Sequence, residues 1–233
     1  MVASMRERID RILKHLLDNR LNWNLFEGPF YDFFIYHAID VFYREFYEHM
    51  SLPEQSRILD VGSGAGQLTL LFARRYPEAE ITGIDFSSTQ TMIANFLKKR
   101  KHVTNCHFRQ ADALNLPFKN ETFDMVTSFA SIKHWQDGRK GLKEIRRVMK
   151  DGAAAYIVEC DACASYEEIE QLARGSAKWE MFYKLIAWYQ YHVVFGKSYT
   201  RKAVELLARS AGFDDIYVEK ARCGPLFQMM LRK

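Results

Sequence analysis

Leu59-Asp60-Val61-Gly62-Ser63-Gly64-Ala65-Gly66-Gln67 decides the fold of this 233-residue chain. Its apolar start closes a short buried strand from Ser56 to Val61. Its three glycines make a turn that opens a helix from Gln67 to Tyr76, with Leu68, Leu71 and Phe72 inward and Arg74 and Arg75 near its end. Strand, glycine turn and helix in this order are the local signature of a nucleotide-cofactor site. The charge beside the turn narrows the ligand. A dinucleotide turn holds pyrophosphate on helix N–H groups, and Asp60, two residues before the first glycine, repels that anion. A ligand with a cationic centre and an ammonium group suits it instead, and the glycines let such a ligand lie close to the backbone. The same aspartate argues against a NAD-dependent oxidoreductase.

Working outward, a second strand from Glu80 to Ile84 ends at Asp85, an acid placed to accept hydrogen bonds from a ribose diol. Asp85 can instead cap the following helix with Ser87 or Ser88. A third strand, Cys106–Gln110, ends in Ala111-Asp112-Ala113, where a carboxylate can accept a hydrogen bond from an adenine amino group. Three acids therefore follow three strands at the carboxyl edge, where open parallel sheets bind their ligands.

With Leu116-Pro117-Phe118 and Thr122-Phe123-Asp124 added, this series resembles the motifs of class I S-adenosyl-L-methionine (SAM)-dependent methyltransferases. It is most similar to the small-molecule branch that includes ubiquinone and menaquinone biosynthesis methyltransferases. The likeness covers roughly Ser56–Glu159, with a weaker match from Ser198 to Arg232. It implies a Rossmann-like α/β fold, with a seven-stranded mostly parallel sheet whose last strand is antiparallel. Helices are then expected as an N-terminal cap and as an insertion after strand five. It further implies Gly62, Ser63, Gly64 and Gly66 around the methionine and ribose, and Asp60 toward the methionine amino group. Asp85 would meet the ribose, and Asp112 with Ala113 the adenine. Phe86 would pack on the adenine face, a task suited to a flat ring; otherwise it is core.

Composition fits one enzyme-sized domain: 48% hydrophobic and 14% aromatic residues supply a substantial core, excluding a disordered chain. The net charge of +4 is modest, and Lys98-Lys99-Arg100-Lys101 reads as a solvated helix end rather than a nucleic-acid patch. No apolar run is long enough to span a bilayer, and the charged start lacks the character of a secretory signal. A cytoplasmic enzyme is the expectation. Four cysteines make no disulfide framework. Cys160-Asp161-Ala162-Cys163 reads as small buried thiols at a strand end, and its sharper alternative is thiol-assisted metalloid methylation. No metal site is expected.

The chain divides into a helical cap (1–50), a SAM-binding core (51–160), a helical insertion (161–197) and a C-terminal helix and hairpin (198–233). Ser4 and Glu7 fit a capping box, and Gly28-Pro29 precedes an aromatic second helix. That segment reads equally as a lid and as cement between cap and core. The resemblance lets Tyr31 reach the methionine carboxylate. Phe123–Phe129 is the fourth strand, followed by a loop Ala130–Trp135 and a helix from Gly138 to about Met149. The loop lacks the Asp/Asn-Pro-Pro-Tyr/Phe sequence of many amide and amine methyltransferases, so nothing supports nucleic-acid bases as substrates. His134 is its obvious acid–base group, although this branch often carries a structural histidine here. With Tyr31, His37 and Glu159 it makes up the substrate-side candidates.

The fifth strand is expected from Ala153 to Glu159, then a helix capped by Ser165 and Glu168, then an aromatic helical stretch from Trp179 to Phe195. Two aromatic segments can close an apolar pocket over the methyl group or pair two copies of the chain. A helix Thr200–Ala211 and strands Phe213–Glu219 and Leu226–Leu231 complete the expectation. The function implied is methyl transfer from SAM to a small, apolar or aromatic molecule by in-line displacement, leaving S-adenosyl-L-homocysteine. A non-catalytic module binding either cofactor form is the alternative.

Overall fold

The alternation Ile58-Leu59-Asp60-Val61 sends neighbouring side chains to opposite faces of a strand, and all four are buried. A strand covered on both faces belongs in the middle of a parallel sheet. A computed structural model, which describes Met50 and residues 52–176, 183–221 and 224–233, places it there. In chain order the elements are β1 (Arg57–Val61), α1 (Gln67–Arg75), β2 (Glu80–Asp85), α2 (Ser88–Arg100), β3 (Cys106–Gln110), β4 (Phe123–Phe129) and α3 (Gly138–Val148). Then follow β5 (Met149–Cys160), α4 (Tyr166–Ser176), α5 (Tyr183–Tyr189), α6 (Arg201–Ser210), β6 (Asp215–Lys220) and β7 (Leu226–Arg232).

The sheet runs β3-β2-β1-β4-β5-β7-β6. The first five strands pair in parallel, and β7 is antiparallel to both β5 and β6. Because β1 lies between β2 and β4, the chain leaves it in opposite directions, and a crevice opens at the carboxyl ends. On one face Leu59 and Val61 pack with Leu142 and Ile145 of α3 and Val204 of α6. On the other, Ile58 packs with Leu68 and Phe72 of α1. Asp60 shares the α1 face.

Most boundaries fall where the residue pattern puts them, and local chemistry explains them. Ser87 caps α2 through Gln90 N–H, Asp137 caps α3 through Lys140 N–H, and Thr200 caps α6 through Ala203 N–H. Ser165 and Glu168 exchange the two hydrogen bonds of a capping box before α4. Two expectations change. β5 starts at Met149 rather than Ala153, because Met149 already pairs with Phe123; the ladder then shifts register before Met125 meets Ala154. The aromatic stretch is no single helix: α5 passes into a π-helical turn, Gln190–Val194, and a 3₁₀ turn, Phe195–Lys197. The expected cap, with Tyr31 and His37, lies outside the described residues, as do Trp179 and Phe182. Among the described residues no helix is long and apolar enough to cross a membrane.

Candidate functional site

The glycine turn is bolted to both neighbouring strand ends. Gly62 N–H and Ser63 N–H both donate to the Ile84 carbonyl at 2.8 Å, tying β1 to β2. On the other side, a Cβ on Gly62 would lie 2.0 Å from Ser131 Oγ, just beyond β4. Gly62 also holds φ at +76°, so no other residue fits without strain. Gly66 closes the turn at φ +84°, and a Cβ there would meet Phe108 Cζ at 2.5 Å. The glycines serve contacts within the protein before they serve any ligand.

A buried acid, Asp60, and a partly buried one, Asp85, flank this turn. Asp85 Oδ2 accepts from Gly64 N–H at 2.9 Å, and its Oδ1 accepts from Ser87 N–H at 2.8 Å. The carboxylate thus braces the turn and starts α2, and each oxygen retains a second lone-pair direction for a diol. Burial raises its pKa, against the pull of both N–H groups. Asp60, on the α1 face, accepts the Thr69 hydroxyl at 2.6 Å. Its pKa is pushed up to about 7, first by burial and to a lesser degree by the nearby Asp85 charge, with Thr69 opposing. Only 1% of Asp60 is exposed, so it lies beneath the turn rather than open to solvent as an acceptor.

At the end of β3, Asp112 is half-buried and its Oδ1 accepts from Leu114 N–H at 2.9 Å. Phe86 is 43% exposed and so is not core; its carbonyl accepts from Gln110 Nε2 at 3.0 Å. Ala113 is half-buried against the core. The loop after them is held by residues that local pattern did not single out. Arg147 donates to the Leu116 and Phe118 carbonyls at 2.9 and 2.7 Å, while Glu144 accepts Leu116 N–H at 2.8 Å and pairs with Arg147 at 2.7 Å. Their spacing on α3 signals an ion pair, but nothing local reveals the loop they hold.

Beyond β4 the chain makes a tight turn. Ala130 adopts φ +52°, and a 3₁₀ turn spans Ile132–His134. Ser131 Oγ accepts the Trp135 indole N–H at 3.1 Å. Glu159 differs from its expected role: both it and Lys133 have wholly buried side chains, paired at 2.7 Å. The same carboxylate accepts Lys133 N–H at 3.3 Å and Cys160 N–H at 2.8 Å, and Lys133 Nζ also donates to the Ala130 carbonyl at 2.7 Å. Glu159 thus turns toward a protein cation rather than an open acceptor site. His134, by contrast, is exposed. Desolvation of its ring by the groups packed around it, then the charges of Lys133 and Lys197, push its pKa well below the ordinary histidine value, so at pH 7 it is neutral and a weaker base than a free imidazole. Burial raises the Cys160 thiol to about 12, whereas Cys163 is exposed. Among the described residues no cluster of three His, Cys, Asp or Glu can hold a metal.

The turn thus has two carboxyls of raised pKa beside it, one buried and one partly buried, with the exposed Phe86 next to the second. Comparison with known proteins gives the family. A fission yeast (Schizosaccharomyces pombe) protein named as an uncharacterized methyltransferase is 34% identical over 51% of this chain and 46% of its own length. The demethylmenaquinone methyltransferase of Thermus thermophilus is 37% identical over 44% of this chain and 46% of its own. The matches therefore span about half the length of these relatives. A SAM-dependent methyltransferase from Aquifex aeolicus shares the fold, with a TM-score of 0.60 at 18% identity over 95% of this chain and 97% of its own. The family model described as "Methyltransferase domain" matches residues 52–212, and the chain belongs to that family.

Proposed function

We propose that this chain binds SAM at the carboxyl edge of β1, β2 and β3 and catalyses transfer of its methyl group to a small, apolar or aromatic acceptor. The observation that carries the reading is the placement of Asp60 and Asp85 about the glycine turn. Both carboxyls are destabilised by burial in the ligand-free chain, so an ammonium brought near them is attracted strongly and a phosphate is repelled. SAM, when bound, supplies a methyl group activated for in-line displacement. The protein's part is to bind, align and keep water away. In this reading Asp85 receives the ribose hydroxyls, Phe86 packs on the adenine, and Asp112 with Ala113 meets its edge. Ser63 and the three glycines keep the backbone close, Asp60 supplies charge beneath the turn, and Tyr31 is the proposed contact from the cap.

His134, exposed and neutral, accepts a proton from the acceptor as the bond to the methyl carbon forms. His37 is retained as a substrate-side group. Calorimetry with SAM, S-adenosylhomocysteine and NAD tests the first step, and transfer of labelled methyl from SAM into fractionated small-molecule extract tests the second. Binding of both adenosyl ligands with label in an apolar fraction is expected. Binding of NAD in their place overturns the proposal, and cofactor binding without an acceptor in any fraction leaves a non-catalytic module. Pairing of two copies is supported by exposed Tyr166, Trp188 and Tyr191, with the Tyr166 and Tyr191 rings 5.5 Å apart.

A further inference from the structure

The Lys133–Glu159 pair is the group whose cost the fold leaves unexplained. Both side chains are fully buried, at the end of β5 and beneath the turn after β4. Removing an ammonium and a carboxylate from water costs more than packing apolar side chains of the same volume, so such a pair is weak as a stabilising device. What it accomplishes here is geometrical. Glu159 accepts both the backbone N–H and the ammonium of Lys133, and that ammonium reaches back to the Ala130 carbonyl. Three bonds from one ion pair thereby close the turn on itself.

That turn carries Ser131, which faces the glycine turn, and His134. Ser131 rests on Gly62 so closely that no Cβ fits between them, and its hydroxyl is fixed by the Trp135 indole. His134 follows Lys133 directly. The ion pair therefore links the end of β5 to the glycine turn of β1 and to the exposed imidazole through a single rigid loop. Ala130, strained at φ +52°, is held in that conformation by its carbonyl bond to Lys133 and by its own N–H donating to the Val158 carbonyl at 2.7 Å.

We infer that Lys133 and Glu159 are positioning residues, holding Ser131 against the cofactor turn and His134 in its place in the site. This rests on the methyl-donor reading above. A device of this kind acts through supporting bonds, and misplacement of the groups it supports by even an ångström weakens what they do.

The test removes both charges together, Lys133→Met with Glu159→Gln, so that no lone charge is left buried. Calorimetry with S-adenosylhomocysteine and NMR titration of the His134 ring are the readouts, beside the melting temperature. Expected are roughly tenfold weaker cofactor binding and a His134 titration that returns toward the ordinary histidine range. Lys133→Arg, which keeps the pair, is expected to restore both. A folded double variant with wild-type affinity overturns the inference, since loss of the Lys133 charge by itself moves the His134 titration. Wild-type protein that fails to bind S-adenosylhomocysteine overturns the methyl-donor reading instead, so the two failures are distinct. A further measurement needs no variant: in the ligand-free wild type, the Lys133 amide should exchange with solvent as slowly as the core strands. Exchange at the rate of an open loop also overturns the inference.

Discussion

Asp60→Asn isolates the buried charge beneath the glycine turn while keeping an acceptor for the Thr69 hydroxyl. In the folded chain Asp60 titrates at about 7, against 3.8 for a free side chain, with burial the largest cause. The folded state thus keeps this proton over a range in which the unfolded chain has already released it. Stability from the group is fully present below the unfolded value and is lost as the pH climbs through 7. At about 1.4 kcal/mol per unit of pKa, the whole effect is about 4 kcal/mol. Of this, about 2 kcal/mol disappears between about pH 5.5 and 8. Asp85 is raised as well and adds loss of the same sign, so the informative quantity is the difference between wild type and variant. Urea unfolding of the ligand-free protein, followed by circular dichroism at several pH values, measures it. The wild type should lose about 2 kcal/mol more than Asp60→Asn over that interval, which for a chain of this size is about 4–8 °C in Tm. Parallel pH dependences would mean that Asp60 is ionised in the fold at little cost, contrary to its burial.

Gly62→Ala forces a Cβ to within 2.0 Å of Ser131 Oγ at a positive φ; a loss of about 2–4 kcal/mol in chemical unfolding is expected, with weakened cofactor binding by calorimetry. Arg147→Ala releases the Leu116 and Phe118 carbonyls. It should cost about 1–2 kcal/mol and speed amide exchange in residues 114–118, whereas unchanged exchange would show that the clamp is idle. His134→Asn, assayed with the true acceptor, should lower kcat by about 10²–10⁴. Because the His134 pKa is depressed, the acid limb of the wild-type rate profile should fall below the ordinary histidine range. An unaltered rate and profile in the variant would remove the general-base role. Iodoacetamide at about pH 8 should modify Cys163 and spare Cys160, whose thiol is buried and raised to about 12; rapid labelling of Cys160 would contradict that burial.

Local pattern sufficed wherever a feature is made by neighbours in the chain. Strand alternation placed Ile58, Leu59 and Val61 in the core, the glycine spacing announced the turn into α1, and capping chemistry set the starts of α2, α4 and α6. Sheet order and the antiparallel last strand came from family resemblance, since periodicity carries no record of which strands are adjacent. Where the pattern misled, long-range pairing was the reason. β5 begins early because Phe123 is opposite Met149, and Glu159 meets Lys133, 26 residues away, instead of an open site. The aromatic segment near Trp188 has no single apolar stripe, and its helix changes pitch at Gln190.

The sequence by itself determined the strand–turn–helix unit, the acids at three strand ends and, through Asp60, the sign of charge that the turn favours. Those are properties of residue order and formal charge. Tertiary structure alone decided how strongly the acids are strained, which side chains support the turn and what became of Glu159. Desolvation and ion pairing depend on the atoms that surround a group in space. Those atoms were gathered when β1 was set between β2 and β4, bringing Ser131 onto Gly62, and when β5 packed beside β4, bringing Glu159 beneath Lys133.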